Sequence, residues 1–447
     1  MTVPSQPVRF DRALQLAEDL AREVAAQGLD ILVVRDIFGR LSLAVDDRGP
    51  TAVVDPDVVA HCRSQLSRSL DKYAMPNPVI LASELFVADD VFDSSRAIPL
   101  WEADSAVGLG QVRLLDNTVV GEDWANVTSV PAGSGPRSAR TVLYGFKGGV
   151  GRSTATYLLA QRLADEGLCV LVVDLDLESP GSGPLLLGGD QLPEYGLVDY
   201  LVEAAVGNEQ GLDLVARAAH VTTAGNGELW VAPAAGSGPL HGPYSYIDKL
   251  NRVYVNSPGG QTPGFAERLE SAVTACEEAV QSRSRRPDVV LLDSRAGIHD
   301  IAAVAISRLA DLALLFGSDN GQTWSGYRNM FTAWNASGQA TAIRERLRMV
   351  ASMVPDLRRA EYLEGFREHA WECFSVLYDD QTGEDPTGFN PAPEDSSAPH
   401  APIPILFTLE LVGLDGGIAR GWSDQTLVQA AYREFLDTAT RLIIEGS

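Results

Sequence analysis

The sequence of 447 residues contains only four cysteines, Cys62, Cys169, Cys276 and Cys373, far apart in the chain. No C-x-x-C pair occurs, so neither a zinc site nor a disulfide framework is expected, and reduced thiols are. Six histidines are scattered without an H-E-x-x-H grouping, which removes the commonest sequence sign of a catalytic metal. Basic residues are scarce relative to acidic ones, 35 against 60, for a formal net charge of −25. That balance excludes wholesale electrostatic binding to nucleic acid or anionic lipid. No apolar run approaches the roughly 18 residues of a membrane span. The opening stretch, MTVPSQPVRFDRALQLAEDL, lacks the apolar core of a secretory signal. No internal repeat is visible. A cytoplasmic protein without membrane association is the expectation.

What is present divides in two. Residues 9 to 27 carry Leu14, Leu16, Ala17, Leu20, Ala21 and Val24 at helical spacing, with Gly28 as the stop. Short β-type runs follow (ILVVRD, LSLAVDD, PVILASELFVADD), with a second helical stretch, VVAHCRSQLSRSLDKY, between the last two. This pattern predicts a small α+β module over residues 1–130, with no catalytic constellation. Residues 131–139, rich in Ser, Gly and Pro, read as a linker. From 140 to 447 strands alternate with helices: TVLYG, CVLVVD, ELWVAPA, DVVLLD, LALLFG, LRMVASMV and PILFTLE. Such near-continuous apolar runs predict a mostly parallel α/β sheet covered by helices on both faces. Residues 379–403, acidic and proline-rich, predict a disordered loop.

The chemistry concentrates in FKGGVGRST, Phe146 to Thr154. It lies between the TVLYG strand and the helical stretch STATYLLAQRLADEG, an order that aims backbone N–H groups and a helix N-terminus at an anion. Gly148, Gly149 and Gly151 let the backbone wrap a polyphosphate. Two further strands end in carboxylates on the same sheet edge: Asp174 and Asp176 in VLVVDLDLESPG, and Asp293 in VVLLDSRAGIHD. Open parallel sheets bind ligands at that edge.

These segments, in this order, resemble the deviant Walker A ATPases of the ParA/MinD group, whose motif is K-G-G-x-x-K-[ST] and which has a K-G-G-V-G-R variant. The resemblance covers residues 140 to 445 and implies a P-loop fold that binds ATP and Mg²⁺ through Lys147, Gly148, Gly149, Val150, Gly151, Arg152, Ser153 and Thr154. It further implies that Lys147 is the signature lysine reaching a partner's phosphates, that Asp176 positions the attacking water, and that Ser153, Asp174 and Asp293 surround the metal. The group's members form dimers through ATP.

Arg152 stands where the motif has its second lysine. Arginine binds phosphate as a planar fork but is bulkier than lysine, so either Arg152 does the local work, or the site binds ATP with little hydrolysis. Retention of Asp176 and Asp293 favours slow, dimer-dependent hydrolysis, with Lys147, Asp176 and Arg152 as the catalytic residues. The alternatives are a non-hydrolysing ATP-sensing scaffold and a DNA-binding partition ATPase. For the latter, Arg344, Arg346, Arg348, Arg358, Arg359 and Arg367 gather in one basic stretch, read as solvated helix faces interleaved with glutamate. Arg295 is open between a phosphate contact and a salt bridge within its own loop. The adenine is expected near Pro355 and Asp356. The first module reads as an adaptor for a protein partner, with bacterial signalling or antiviral defence as settings implied by the resemblance alone.

Overall fold

The computed structural model describes residues 8, 10–36, 39–48, 54–94, 96–101, 110–117, 124, 138–187, 191–218, 225–238, 244–254, 263–379, 388–408 and 426–446. The chain divides into two units, Met1–Val120 and Gly121–Ser447.

Among its described residues the first unit holds five strands: β1 (Ile31–Arg35), β2 (Leu41–Val45), β3 (Ala74–Leu81), β4 (Ile98–Trp101) and β5 (Val112–Asp116), in the order β3-β2-β1-β5-β4. β1 and β2 form an antiparallel hairpin, while β2–β3 and β1–β5 are parallel. The helix Phe10–Ala25 buries Ala13, Ala17, Leu20, Ala21 and Val24, and the helix Pro56–Leu70 buries Cys62, Leu66 and Leu70 in the same core. Asp55 caps the second helix by accepting the Asp57 N–H at 2.9 Å, with Pro56 in its first turn. One expectation fails here. The run ELFVADD does not extend β3 but turns into a short helix, Ala88–Phe92, whose Phe92 ring packs against Leu32 and Ala44. Arg48 lies over that ring at 4.9 Å and pairs with Asp46 at 2.8 Å.

The second unit holds β6 (Ala139–Gly145), β7 (Cys169–Asp174), β8 (Ala216–Arg217), β9 (Glu228–Ala232), β10 (Val289–Asp293), β11 (Leu312–Gly317), β12 (Leu347–Val354) and β13 (Ile403–Leu406). Their order is β13-β12-β11-β6-β10-β7-β9-β8, parallel throughout except for β8. Every residue of β7 and β10 is buried. The sheet is therefore covered on both faces, as its apolar runs require. The helices Arg152–Asp165 and Thr426–Glu445 cover one face, and Phe265–Arg283 and Gly321–Ala336 the other. β6 is central, flanked by β10 and β11. The chain winds outward from it in both directions, and such a reversal opens a crevice at the C-terminal strand ends. No helix among the described residues is long and apolar enough to cross a membrane.

The acidic, proline-rich segment is a second correction. Its described part, 388–403, is packed rather than disordered, while 380–387 lies outside the described residues. Arg344 grips Asp379 through two hydrogen bonds of 2.6 and 2.9 Å, and the Phe389 ring lies 4.9 Å from the same guanidinium. His400 is fully buried. Its Nε2 faces the Pro393 carbonyl at 3.1 Å, which can only accept, so Nδ1 accepts from the Tyr378 hydroxyl at 2.8 Å. Burial holds His400 below the ordinary histidine range, which keeps this neutral arrangement. A few long-range partners thus order a segment whose composition argues for none.

Candidate phosphate and cation site

β6 ends at Gly145, and the loop 146–151 leads into a helix of 14 residues beginning at Arg152. Gly149 and Gly151 have φ of +76° and +79°, left-handed values that side-chain-bearing residues rarely adopt. Gly151 is the helix cap, and no side chain caps the first turn. Its free N–H groups are therefore open to an anion. Lys147, Gly148 and Gly149 are exposed, whereas Val150 is buried and anchors the loop.

Arg152 is buried and does not point away from the protein. Its guanidinium donates to the Ser294 carbonyl, just past β10. The side chain runs back over Gly145, where an added Cβ would lie 3.1 Å from Arg152 Cδ. Its charge reaches both Asp176 and Asp293.

β7 and β10 run side by side with Asp174 and Asp293 as register partners. Both carboxylates are buried, and both pKa values are raised, by burial first. The charge of Asp293 raises Asp174 further, and three backbone N–H groups oppose the shift: Gly181 at 3.0 Å, Gly183 at 3.1 Å and Asp176 at 3.2 Å. Asp174 is thus taken up in shaping the loop 176–183. Asp293 differs. Its Oδ2 accepts from the Ser182 hydroxyl, while Oδ1 is buried without a partner. Arg152, the Ser182 bond and, without a formed hydrogen bond, the nearby hydroxyls of Ser153 and Thr156 oppose its shift. Ser153 faces Gly181, whose added Cβ would lie 3.7 Å from its Oγ. Asp176 sits at the margin, half-buried, accepting from the Ser179 N–H at 3.2 Å, and burial raises its pKa too.

Ser153 and Asp293, a hydroxyl beside a carboxylate with an unsatisfied oxygen, fit a hard cation with oxygen ligands. Asp174 has less to offer one directly. No cluster of three or more His, Cys, Asp or Glu side chains suited to a metal occurs among the described residues, so such an ion would need ligand oxygens from elsewhere, as Mg²⁺ does beside phosphates.

Several positioning residues carry no sequence signal of their own. The Phe146 ring seats on Gly326, where an added Cβ would lie 2.4 Å from ring atoms. Tyr327, fully buried in the same helix, donates to the Phe316 carbonyl at 2.7 Å. The large residue in place of the motif's first glycine therefore locks the loop to the helix Gly321–Ala336. A glycine inside a helix costs about 1 kcal/mol relative to alanine, which was the one readable hint. Gly326→Ala should destabilise by up to about 2 kcal/mol net, since ring overlap costs roughly 1–3 kcal/mol and helix propensity returns about 1. In a Phe146→Ala background the same change should stabilise, and urea unfolding of the four proteins checks the reversal.

On the other side of the loop a cleft of about 400 Å³ is lined by Gly149, Gly151, Thr154, Met353, Phe407 and Tyr432, among others. Met353 is half-exposed at φ +58° and Phe407 is 45% exposed, so both offer apolar surface to a flat ring. Pro355 and Asp356 do not line it; Met353 does. Of the arginine stretch, Arg344 binds Asp379, Arg346 and Arg348 donate to carbonyls, and Arg358 and Arg359 pair with Glu361 and Glu434. Arg344 is buried rather than solvated, and these five are engaged within the unit.

Residues 141–381 match the family model described as the CobQ/CobB/MinD/ParA nucleotide binding domain. No curated protein matches the sequence. Among solved structures, the chain is similar to the MinC:MinD cell division protein complex of Aquifex aeolicus, at 18% identity and a TM-score of 0.38 over 68% of this chain and 96% of that one. It is also similar to pNOB8 ParA bound to nonspecific DNA, at 14% identity and a TM-score of 0.42 over 70% of this chain and 100% of that one. A third is a putative plasmid partition protein of Borrelia burgdorferi B31 bound to AMPPNP, at 11% identity and a TM-score of 0.42 over 68% and 99% of the two chains.

Proposed function

The chain belongs to the CobQ/CobB/MinD/ParA nucleotide-binding family, and from that premise we propose that it is an ATP-dependent dimerising switch with slow, Mg²⁺-dependent hydrolysis that regulates a protein partner. The observation that carries the reading is the uncapped glycine loop facing the buried Asp174–Asp293 pair, with Asp293 Oδ1 left unsatisfied.

The backbone N–H groups of 148–152 and the first helical turn hold the phosphates. Ser153 and Asp293 would hold Mg²⁺, which supplies charge neutralisation at the phosphate oxygens. The cleft beside Met353 and Phe407 takes the adenine. Arg152, bonded to the Ser294 carbonyl, opposes the protonation that burial favours at Asp293 and Asp176 and so acts first on the protein's own charges. Lys147, at the exposed loop, is free to reach a second copy of the chain, which would make hydrolysis depend on assembly. Asp176, held by the Ser179 N–H and raised in pKa by burial, orients the water and accepts its proton.

The acidic balance of the chain and the buried Arg344, held by Asp379, disfavour the DNA-binding alternative, while Arg358 and Arg359 form only exposed pairs. The bond from Arg152 to Ser294 favours one second reading, a non-hydrolysing ATP sensor. A calorimetric titration of the full chain with Mg·ATP should show saturable uptake, accompanied by growth in sedimentation size. No uptake by folded protein sinks both readings. Phosphate release above that of Asp176→Ala and Lys147→Ala supports the enzyme; a size change without ADP supports the sensor. The adaptor role falls to the first unit, where Phe86 is fully exposed beside a half-exposed Val87, and an ATP-dependent pull-down that fails on Phe86→Ser supports it.

A further inference from the structure

Glu178 lies two residues beyond Asp176 and collects donors from two other segments. Its Oε1 is 2.6 Å from Arg295 Nη1, accepts from the Tyr254 hydroxyl at 2.9 Å, and is 3.6 Å from His299 Nε2. Arg295 and His299 follow β10, and Tyr254 precedes the helix Phe265–Arg283. The Tyr254 ring packs edge-on against His299 at 4.9 Å. Arg295 is thus in a salt bridge, but not within its own loop: the bond joins the loop carrying Asp176 to the segment carrying Asp293.

Two features make this pair poised to exchange rather than fixed. Glu178 Oε2 is buried without a partner, so the contact leaves half of the carboxylate unsatisfied. The side chains of Arg295 and Glu178 are 31% and 23% exposed, so water reaches the pair and can solvate Glu178 as the guanidinium leaves. The charge of Arg295 also reaches Asp176, beside the phosphate loop. A guanidinium binds carboxylate and phosphate through the same planar fork, so transfer between them needs no change of donor.

We propose that Arg295 is a terminal-phosphate ligand held in reserve by Glu178. When a nucleoside triphosphate occupies the loop, the guanidinium moves from Glu178 Oε1 to the terminal phosphate oxygens. The move uncouples the Asp176 loop from the segment after β10. Glu178 is then a positioning residue, and the pair discriminates triphosphate from diphosphate. The inference rests on the nucleotide-binding reading above.

The test is calorimetric titration of the full chain with a non-hydrolysable Mg·ATP analogue and with Mg·ADP. Arg295→Ala should weaken the analogue about tenfold or more, a loss of roughly 1.4 kcal/mol per decade, and leave ADP unchanged. Glu178→Gln, which keeps an acceptor for Tyr254, should tighten the analogue several-fold and leave ADP unchanged. In the Arg295→Ala background it should have no effect. An analogue-to-ADP affinity ratio equal to that of wild type in folded Arg295→Ala overturns the inference while sparing nucleotide binding. Failure of wild type to take up either nucleotide overturns both. Should Arg295→Ala not fold, Arg295→Lys, which keeps the charge but not the fork, carries the same comparison with a smaller expected loss.

Discussion

Asp293→Asn is expected to move stability and function in opposite directions, raising the midpoint of urea unfolding of the nucleotide-free protein while abolishing Mg²⁺-dependent ATP binding. Asp174 and Asp293 are buried neighbours whose pKa values are raised by burial and, for Asp174, by the other's charge. Arg152 is the cation that reaches Asp293. Removing one charge should stabilise by about 1–3 kcal/mol, because an asparagine oxygen still accepts from Ser182 and the desolvation cost of an ion disappears. The cost to hydrolysis should be at least about a hundredfold, the scale of losing a preorganised electrostatic group. The pH dependence follows with a definite sign. A raised carboxyl pKa means that the folded state holds its proton at higher pH than the unfolded chain, whose value is about 3.9. The stabilisation is therefore complete below that value and is lost as pH rises through the raised one. Wild type without nucleotide should gain stability on mild acidification from neutrality, the variant less so, and Mg·ATP binding to wild type should weaken over the same interval.

Glu277→Leu is the larger stability effect. Arg140 on β6 and Glu277 on the helix Phe265–Arg283 form an ion pair of 2.8 Å with both side chains 6% exposed. Arg140 also donates to the Thr274 hydroxyl at 3.3 Å, and its backbone N–H to Asp311 at 2.9 Å. Removing the carboxylate strands a guanidinium that is always charged, at a cost of about 3–5 kcal/mol. The double change Arg140→Met, Glu277→Leu fills the same space without charge and should return close to wild-type stability. Urea unfolding of the single and double variants gives the comparison.

The strands of the second unit were legible because a buried parallel strand must be apolar on both sides, so Cys169–Val173 and Val289–Leu292 declare themselves. The phosphate loop was legible because only glycine tolerates its backbone, and Asp174 and Asp293 because they interrupt apolar runs at the strand ends. What stayed hidden depends on distant partners. Nothing local in ELFVADD distinguishes a helical turn from a strand, and the choice is made by Phe92 entering the core under Leu32 and Ala44. The ordering of 388–403 depends on Arg344, Tyr378 and the Met349 N–H, which donates to the Pro399 carbonyl at 3.0 Å. Phe146 reads as a motif defect until Gly326 is placed opposite it. Glu178 reads as a loop acid until Arg295 and Tyr254 arrive from elsewhere.

The pairing of Asp174 with Asp293 across β7 and β10 has a consequence for how this protein can vary. A strand slipped by one residue turns every side chain to the opposite surface of the sheet. One inserted or deleted residue in either strand would therefore swing a carboxylate out of the crevice and drive an aliphatic side chain into it. Length changes in lineages that keep the site should accumulate in the connections and spare these two rungs, so hydrogen-bond stagger works here as a vernier for charge spacing.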